Sequence, residues 1–246
     1  MSAEKVSTST KTAIGIAHSK LILIGEHAVV HGQPAIAIPF PLIGVETVVE
    51  YMPGPLKLDS SFYYGPLHMA PEELRGITNC TTDTLEYLDL PAEDMIIRIN
   101  SSIPPGKGLG SSASVAVSII RSLFNYADRE CTQEELLKLA HIAETYAHGS
   151  PSGIDTFTIT SDSPIWFEKN HPIERIGVKE DLHFIVADSG QDADTRTSVQ
   201  SVTRLLKKAP RKIQRKLDRI GELTHDAKGA LEKASKHFLG YMLNEA

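Results

Sequence analysis

Short apolar bursts separated by turn residues fill the N-terminal part of the chain, and longer helical periods take over after them. Residues 12–18 and 21–24 alternate or run apolar and predict strands, with Lys20 between them. A Gly25-Glu26-His27 turn and the Ala28-Val29-Val30-His31-Gly32 stretch lead to 34–38, another strand-like run bounded by prolines. Residues 45–51 carry β-branched side chains in near-alternation and read as a further strand. The interrupted stretch 53–65 reads as a hairpin around Asp59-Ser60-Ser61. A weaker helical pattern spans 79–88, with Asn79 or Thr81 as its cap, and 95–99 alternates again as a strand.

Helical spacing then dominates. Residues 112–126 place Val115, Ile119 or Ile120, and Phe124 on one buried face. Thr132-Gln133-Glu134-Glu135 is a capping box that starts a second helix, and Gly149 is placed to stop it. On that helix Glu144 shares a side with Leu137, Ala140, Ala147 and His148, which puts a carboxylate on a largely apolar face. A salt-bridged or surface-grazing glutamate fits the same spacing, since carboxylates are seldom buried without a partner. Residues 164–167 and 182–188 read as strands on either side of a charged, loop-like 168–181, and a domain boundary is expected near there. A strongly amphipathic helix is predicted over 211–235, with Ile213, Leu217, Ile220, Leu223 and Ala227 or Leu231 facing inward.

The 246 residues suffice for one large domain or two small ones, and an apolar fraction of 41% with 23% charged residues describes an ordinary globular protein. A net charge of −6 argues against a nucleic-acid footprint. An anionic ligand must therefore be held by a local site. Cys80 and Cys131 show neither metal-ligand spacing nor a redox motif, which fits a reducing cytoplasm and makes a zinc site improbable. No apolar run is long enough to span a bilayer, and 1–11 reads as a frayed polar tail, so no membrane partner is expected.

One stretch carries candidate chemistry: Pro104-Pro105-Gly106-Lys107-Gly108-Leu109-Gly110-Ser111-Ser112-Ala113. Glycines without Cβ let backbone N–H groups approach an anion, and the helix that follows offers its own unpaired N–H groups and positive dipole end. Ser111 and Ser112 sit where a hydroxyl caps the helix or reaches a phosphate-bound cation. The spacing excludes a Walker loop, which needs Gly-Lys-Ser/Thr, and the Gly-x-Gly-x-x-Gly dinucleotide fingerprint. Taken alone, the run is equally an ordinary glycine turn before a helix. Lys20 alone reads as a strand-edge lysine, and Asp155, closing Pro151-Ser152-Gly153-Ile154-Asp155, as a turn residue.

The glycine stretch resembles the second motif of the GHMP kinases, and two further stretches resemble the mevalonate kinases within that superfamily. They are Lys20-Leu21-Ile22-Leu23-Ile24-Gly25-Glu26-His27-Ala28-Val29-Val30-His31-Gly32 and His148-Gly149-Ser150-Pro151-Ser152-Gly153-Ile154-Asp155. The resemblance implies an α/β (α+β) fold of two domains. A ribosomal-protein-S5-domain-2-like N-terminal domain is expected over 1–176, and a truncated ferredoxin-like C-terminal domain over 177–246. It implies ATP-dependent phosphorylation of the 5-hydroxyl of (R)-mevalonate, a step toward isopentenyl diphosphate. Phosphomevalonate kinase, homoserine kinase and an inactive nucleotide-binding fragment are the alternatives.

By the same resemblance, Asp155 is the catalytic base with Lys20 as its neighbouring cation, and Ser112 and Glu144 hold Mg²⁺. Residues 104–113 bind ATP, with Lys107 close to the phosphates, while Glu26, His27, Ser152 and Thr195 line the substrate side. The segment around Thr195 departs from the family pattern, with Ala193 where glycine is common. The family's third glycine-rich loop has no counterpart, and the sequence ends at Ala246 in a helical pattern. Exposed apolar surface, with low stability or self-association, is the expectation for such a C-terminal domain, and the resemblance leaves room for a homodimer.

Overall fold

Strands dominate the first part and helices the rest of the computed structural model, which describes residues 11–148, 151–190 and 195–246. In chain order they are β1 (Thr12–Ile24), β2 (Ala35–Pro55), β3 (Lys57–Ser60), β4 (Tyr63–Pro66), α1 (Arg75–Tyr87), β5 (Glu93–Ser101) and α2 (Ser111–Tyr126). Then follow α3 (Gln133–His148), α4 (Ile154–Ile159), β6 (Ile165–Phe167), β7 (Glu174–Arg175), α5 (Thr195–Lys208), α6 (Pro210–Glu232) and α7 (Lys236–Glu245). This is a mixed α/β architecture. Its contacts fall into two units, one of Met1–Ala17, Gly44–Ser102 and Ser112–Pro151, the other of His18–Ile43, Ile103–Ser111 and Ser152–Ala246.

In the first unit β5 lies between two partners. It runs antiparallel to β2, with Tyr51 opposite Met95, and parallel to β3, with Leu58 opposite Ile97. Met95, Ile96, Ile97 and Ile99 are all buried, so both faces of the strand are covered as well as its edges, and the pattern is apolar at consecutive positions. The expected hairpin forms over 57–66, but its turn is Ser61-Phe62, just past the expected centre, with Ser60 still in β3 opposite Tyr63.

Helix α2 departs from the single buried face read from its spacing, because it is enclosed on nearly every side. Its serines make this feasible. Ser114, Ser118 and Ser122 recur every fourth residue and are wholly buried, and Ser118 and Thr47 share a hydroxyl hydrogen bond of 2.7 Å. A Cβ on Gly15 would stand 2.1 Å from the Ser118 carbonyl oxygen, so glycine is what lets β1 lie against the helix backbone.

The capping box of α3 is present in both halves. Glu135 N–H donates to Thr132 Oγ1 at 3.3 Å, and Thr132 N–H donates to Glu135 Oε2 at 2.9 Å. The Thr132 hydroxyl, its N–H and Tyr87 hold the Glu135 carboxyl down at about 2. Helix α1 starts at Arg75, ahead of the predicted Asn79, after a short 3₁₀ turn at Glu72–Leu74. Its threonines are accommodated because Thr84 donates its hydroxyl to the Cys80 carbonyl, one turn back, at 2.6 Å.

In the second unit the N-terminal part of β2 pairs with β6, Ile36 opposite Trp166, and β6 pairs with β7. Ile24, Ile36, Trp166 and Ile176 pack with Leu223, Ala227 and Leu231 of α6 and Leu239 and Met242 of α7. Leu223, Ala227 and Leu231 belong to the stripe that the helical spacing picks out; Leu217 of that stripe is also buried, while Ile213 and Ile220 are only half-buried.

Three expectations are corrected by the pairing. The runs 12–18 and 21–24 are one strand, and 34–38 and 45–51 are parts of another. Pro39 and Pro41 do not end β2, because they fall between its ladder with β6 and its ladder with β5. Glu174–Arg175 forms a short strand inside the charged stretch expected as loop. Residues 182–188 form no strand: no described strand lies beside them, and Phe184, Ile185 and Val186 remain exposed. Helix α5 was absent from the sequence expectations, although Val199, Val202 and Leu206 have the spacing of one face.

Candidate active site

Within the second unit, β1 brings Lys20 to the glycine stretch. The ammonium of Lys20, whose side chain is only 4% exposed, lies 2.9 Å from Asp155 Oδ1. Asp155 occupies the first turn of α4, entered through Gly153 in the left-handed region at φ 81°. The Ser152 hydroxyl accepts from Ile154 N–H at 3.4 Å at the same helix entrance.

The loop between β5 and α2 turns on Gly106, Gly108 and Gly110, at φ 71°, 68° and 73°, a region that side chains with a Cβ rarely adopt. A Cβ on Gly110 would also stand 3.0 Å from Lys20 Cγ and 3.1 Å from Ile159 Cδ1, so this glycine lets the loop rest on the lysine stem. Leu109 supplies the junction: its carbonyl accepts the Lys20 N–H at 3.3 Å and the Ser19 hydroxyl at 2.7 Å. Pro104 and Pro105 are exposed at the start of the loop. Lys107 Nζ lies 3.3 Å from Asp188 Oδ1. The Gly190 N–H, with Lys107 second, holds the Asp188 carboxyl below the usual carboxylate range.

Glu26 and His27 are exposed in the turn before the 3₁₀ turn Ala28–His31, and His27 has a left-handed backbone at φ 62°. Described contacts do not join Glu26, His27 or Ser152 to the Lys20–Asp155 pair. Thr195 opens α5, but its side chain lies outside the described residues, as do Gly149 and Ser150 of the third motif.

Within the first unit, Ser112 in the first turn of α2 donates its hydroxyl to Glu144 Oε1 at 2.8 Å. Glu144 is 6% exposed on the buried side of α3 with Ala140 and Ala143, so the inward reading of its spacing holds over the surface one. Ala113, next along α2, is buried. A hydroxyl and a carboxylate are hard oxygen donors of the kind that suit Mg²⁺, which commonly takes only one or two ligands from the protein. Among the described residues, no cluster of three or more His, Cys, Asp or Glu forms a larger metal cage. Burial pushes the Cys80 thiol up to about 12 and the Cys131 thiol up to about 11, so neither is a nucleophile at neutral pH.

Ser19 and Asp188 are the residues of this neighbourhood to which the sequence motifs assign no role. Asp188 opens an Asp-Ser-Gly turn, a usable signal, whereas nothing in the spacing marks Ser19.

The family model for the GHMP kinases N terminal domain matches residues 77–162. The mevalonate kinase of Thermococcus gammatolerans is 31% identical over 249 residues, covering 93% of this chain and 74% of that protein. The mevalonate kinase of Pyrococcus abyssi is 30% identical over 234 residues, covering 89% and 69%. Among solved structures, the L. major mevalonate kinase in complex with R-mevalonate superposes with a TM-score of 0.78 at 26% identity, covering 98% of this chain and 76% of that one. The mevalonate kinase from methicillin-resistant Staphylococcus aureus MRSA252 superposes with a TM-score of 0.66 at 32% identity, covering 95% and 74%.

Proposed function

The chain belongs to the mevalonate kinase family of the GHMP kinases, and on that premise we propose that it transfers the γ-phosphoryl group of ATP to the 5-hydroxyl of (R)-mevalonate. The observation that carries the reading is the buried Lys20 ammonium 2.9 Å from Asp155. Asp155 accepts the proton of the hydroxyl as its oxygen forms the new bond to phosphorus. The bond from phosphorus to the β-phosphate oxygen breaks, and ADP leaves. Lys20 fixes the carboxylate through the ion pair and lies ready to meet charge on the transferred phosphoryl group.

The left-handed glycines at 106, 108 and 110 support a backbone cradle for the triphosphate across 104–113, with Lys107 at its edge. Ser112 and Glu144 are the residues that would hold Mg²⁺, which neutralises phosphate charge when bound. Glu26, His27, Ser152 and Thr195 are assigned to the mevalonate side by their motif positions. The familial domains are read as 1–176 and 177–246, and the sparing cysteine usage favours the cytoplasm. Among the described residues, no helix is long and apolar enough to cross a membrane.

Phosphomevalonate kinase of Streptococcus pneumoniae shares the fold at a TM-score of 0.71 but only 17% identity, which favours no second substrate. ADP release with ATP, Mg²⁺ and each of mevalonate, phosphomevalonate and homoserine tests the assignment. Turnover that depends on mevalonate is the expected result, and turnover that depends on either other acceptor would reassign the chain.

A further inference from the structure

Ser19 stands beside Lys20 on β1, and its side chain is wholly buried. A buried hydroxyl needs a partner, and a neighbouring strand or its own backbone would be the ordinary one. Ser19 Oγ instead donates across 90 positions of sequence to the Leu109 carbonyl, at 2.7 Å. Its approach to the adjacent Lys20 carbonyl is much longer, at 3.5 Å. Leu109 thus takes two donors from β1, the Ser19 hydroxyl and the Lys20 N–H, and a carbonyl with two lone pairs accommodates both.

The consequence is geometric. With its carbonyl drawn to β1, the trans Leu109–Gly110 peptide has a fixed orientation, and its N–H is directed away from the strand. Gly110 then rests on the stem of Lys20, where a Cβ would stand 3.0 Å from Cγ and 3.2 Å from Cε. The loop and the lysine are registered against each other through adjacent residues of one strand. We infer that Ser19 is a positioning residue for the nucleotide: its hydroxyl holds the glycine loop in register with the Lys20–Asp155 pair. The inference rests on the phosphate-cradle reading of that loop and gives Ser19 no contact with either substrate.

Ser19→Ala and the near-isosteric Ser19→Cys, in the full chain, test it. The readouts are affinity for a fluorescent ATP analogue, separate KM values for ATP and mevalonate, and melting temperature. Loss of one buried hydrogen bond is expected to raise the nucleotide Kd and KM for ATP roughly five-fold in Ser19→Ala, and less in Ser19→Cys, with KM for mevalonate within about two-fold of wild type. Unchanged nucleotide affinity, or a drop in melting temperature with both KM values moving together, overturns the inference and leaves Ser19 a packing residue. If Ser19→Ala does not fold, Ser19→Cys alone decides between these outcomes by the same split in KM. A wild-type chain that binds no adenine nucleotide overturns the cradle reading itself, and the inference with it. Wild-type binding that neither variant alters sinks the inference alone.

Discussion

Two stretches of this chain share one plan, an apolar run followed by a glycine turn with a helix beyond it, and they end differently. β5 leads through Gly106, Gly108 and Gly110 into α2, whereas 182–188 lead to Gly190 ahead of α5. β5 has a partner strand on each side, and Ile97 is wholly buried. Residues 182–188 have no described strand partner, and Ile185 is fully exposed at 101% of its reference area. Apolar, β-branched composition is common to both, so composition does not make the strand. Neighbours on the edges and faces do, which is why strand preference depends so heavily on context. The Lys107–Asp188 ion pair ties the two turns together.

The largest expected contrast is in stability. Ile97→Ala empties a fully packed site and should cost about 2–5 kcal/mol, whereas Ile185→Ala should stay within about 0.5 kcal/mol of wild type. Urea unfolding of the two variants measures both, and equal costs would erase the distinction.

The glycines give the next contrast. Gly110 and Gly190 have nearly equal φ values of 73° and 74°, but a Cβ meets Lys20 and Ile159 at the first and nothing within 4 Å at the second. Alanine at Gly190 should therefore cost only the left-handed strain, about 1–2 kcal/mol. Gly110→Ala should cost more and should also weaken nucleotide binding, since it pushes the loop off Lys20. A Gly110→Ala protein with wild-type nucleotide affinity would show that the loop tolerates displacement.

The smallest effect concerns acid. Because Gly190 N–H and Lys107 depress the Asp188 carboxyl below its usual 3.8, its contribution is present above that pH and lost as pH falls through the lower folded value. Asp188→Asn should flatten the acid limb of the stability curve below about pH 4 by removing that small contribution at neutral pH, while stability in strong acid stays at the wild-type level. A steeper acid limb in the variant would reverse the sign.

Legibility in the sequence follows the same contrast. Local signals were sufficient where local chemistry decides the structure: the Thr132–Glu135 capping box and the buried stripe of α6 stand where the spacing puts them, and the 57–66 hairpin turns just past its expected centre. Long-range pairing was not legible. Proline suggested a break in β2 that two separate ladders remove, and 182–188 carry a strand pattern that nothing beside them completes. The motifs point to Lys20, Asp155, Ser112 and Glu144, and the structure pairs Lys20 with Asp155 in one unit and Ser112 with Glu144 in the other. Ser19 escaped because a serine on an apolar strand has no spacing to betray it, and only the placement of Leu109 reveals its partner.

The most direct test of the central claim is the turnover of Asp155→Asn with ATP, Mg²⁺ and mevalonate, measured beside its nucleotide affinity. The substitution keeps the size of the side chain beside Lys20 and removes the proton acceptor. Mevalonate-dependent ADP release should fall by about 10²–10⁴-fold while nucleotide still binds. Turnover at the wild-type rate would contradict the account, because the carboxylate paired with Lys20 would then not be the base.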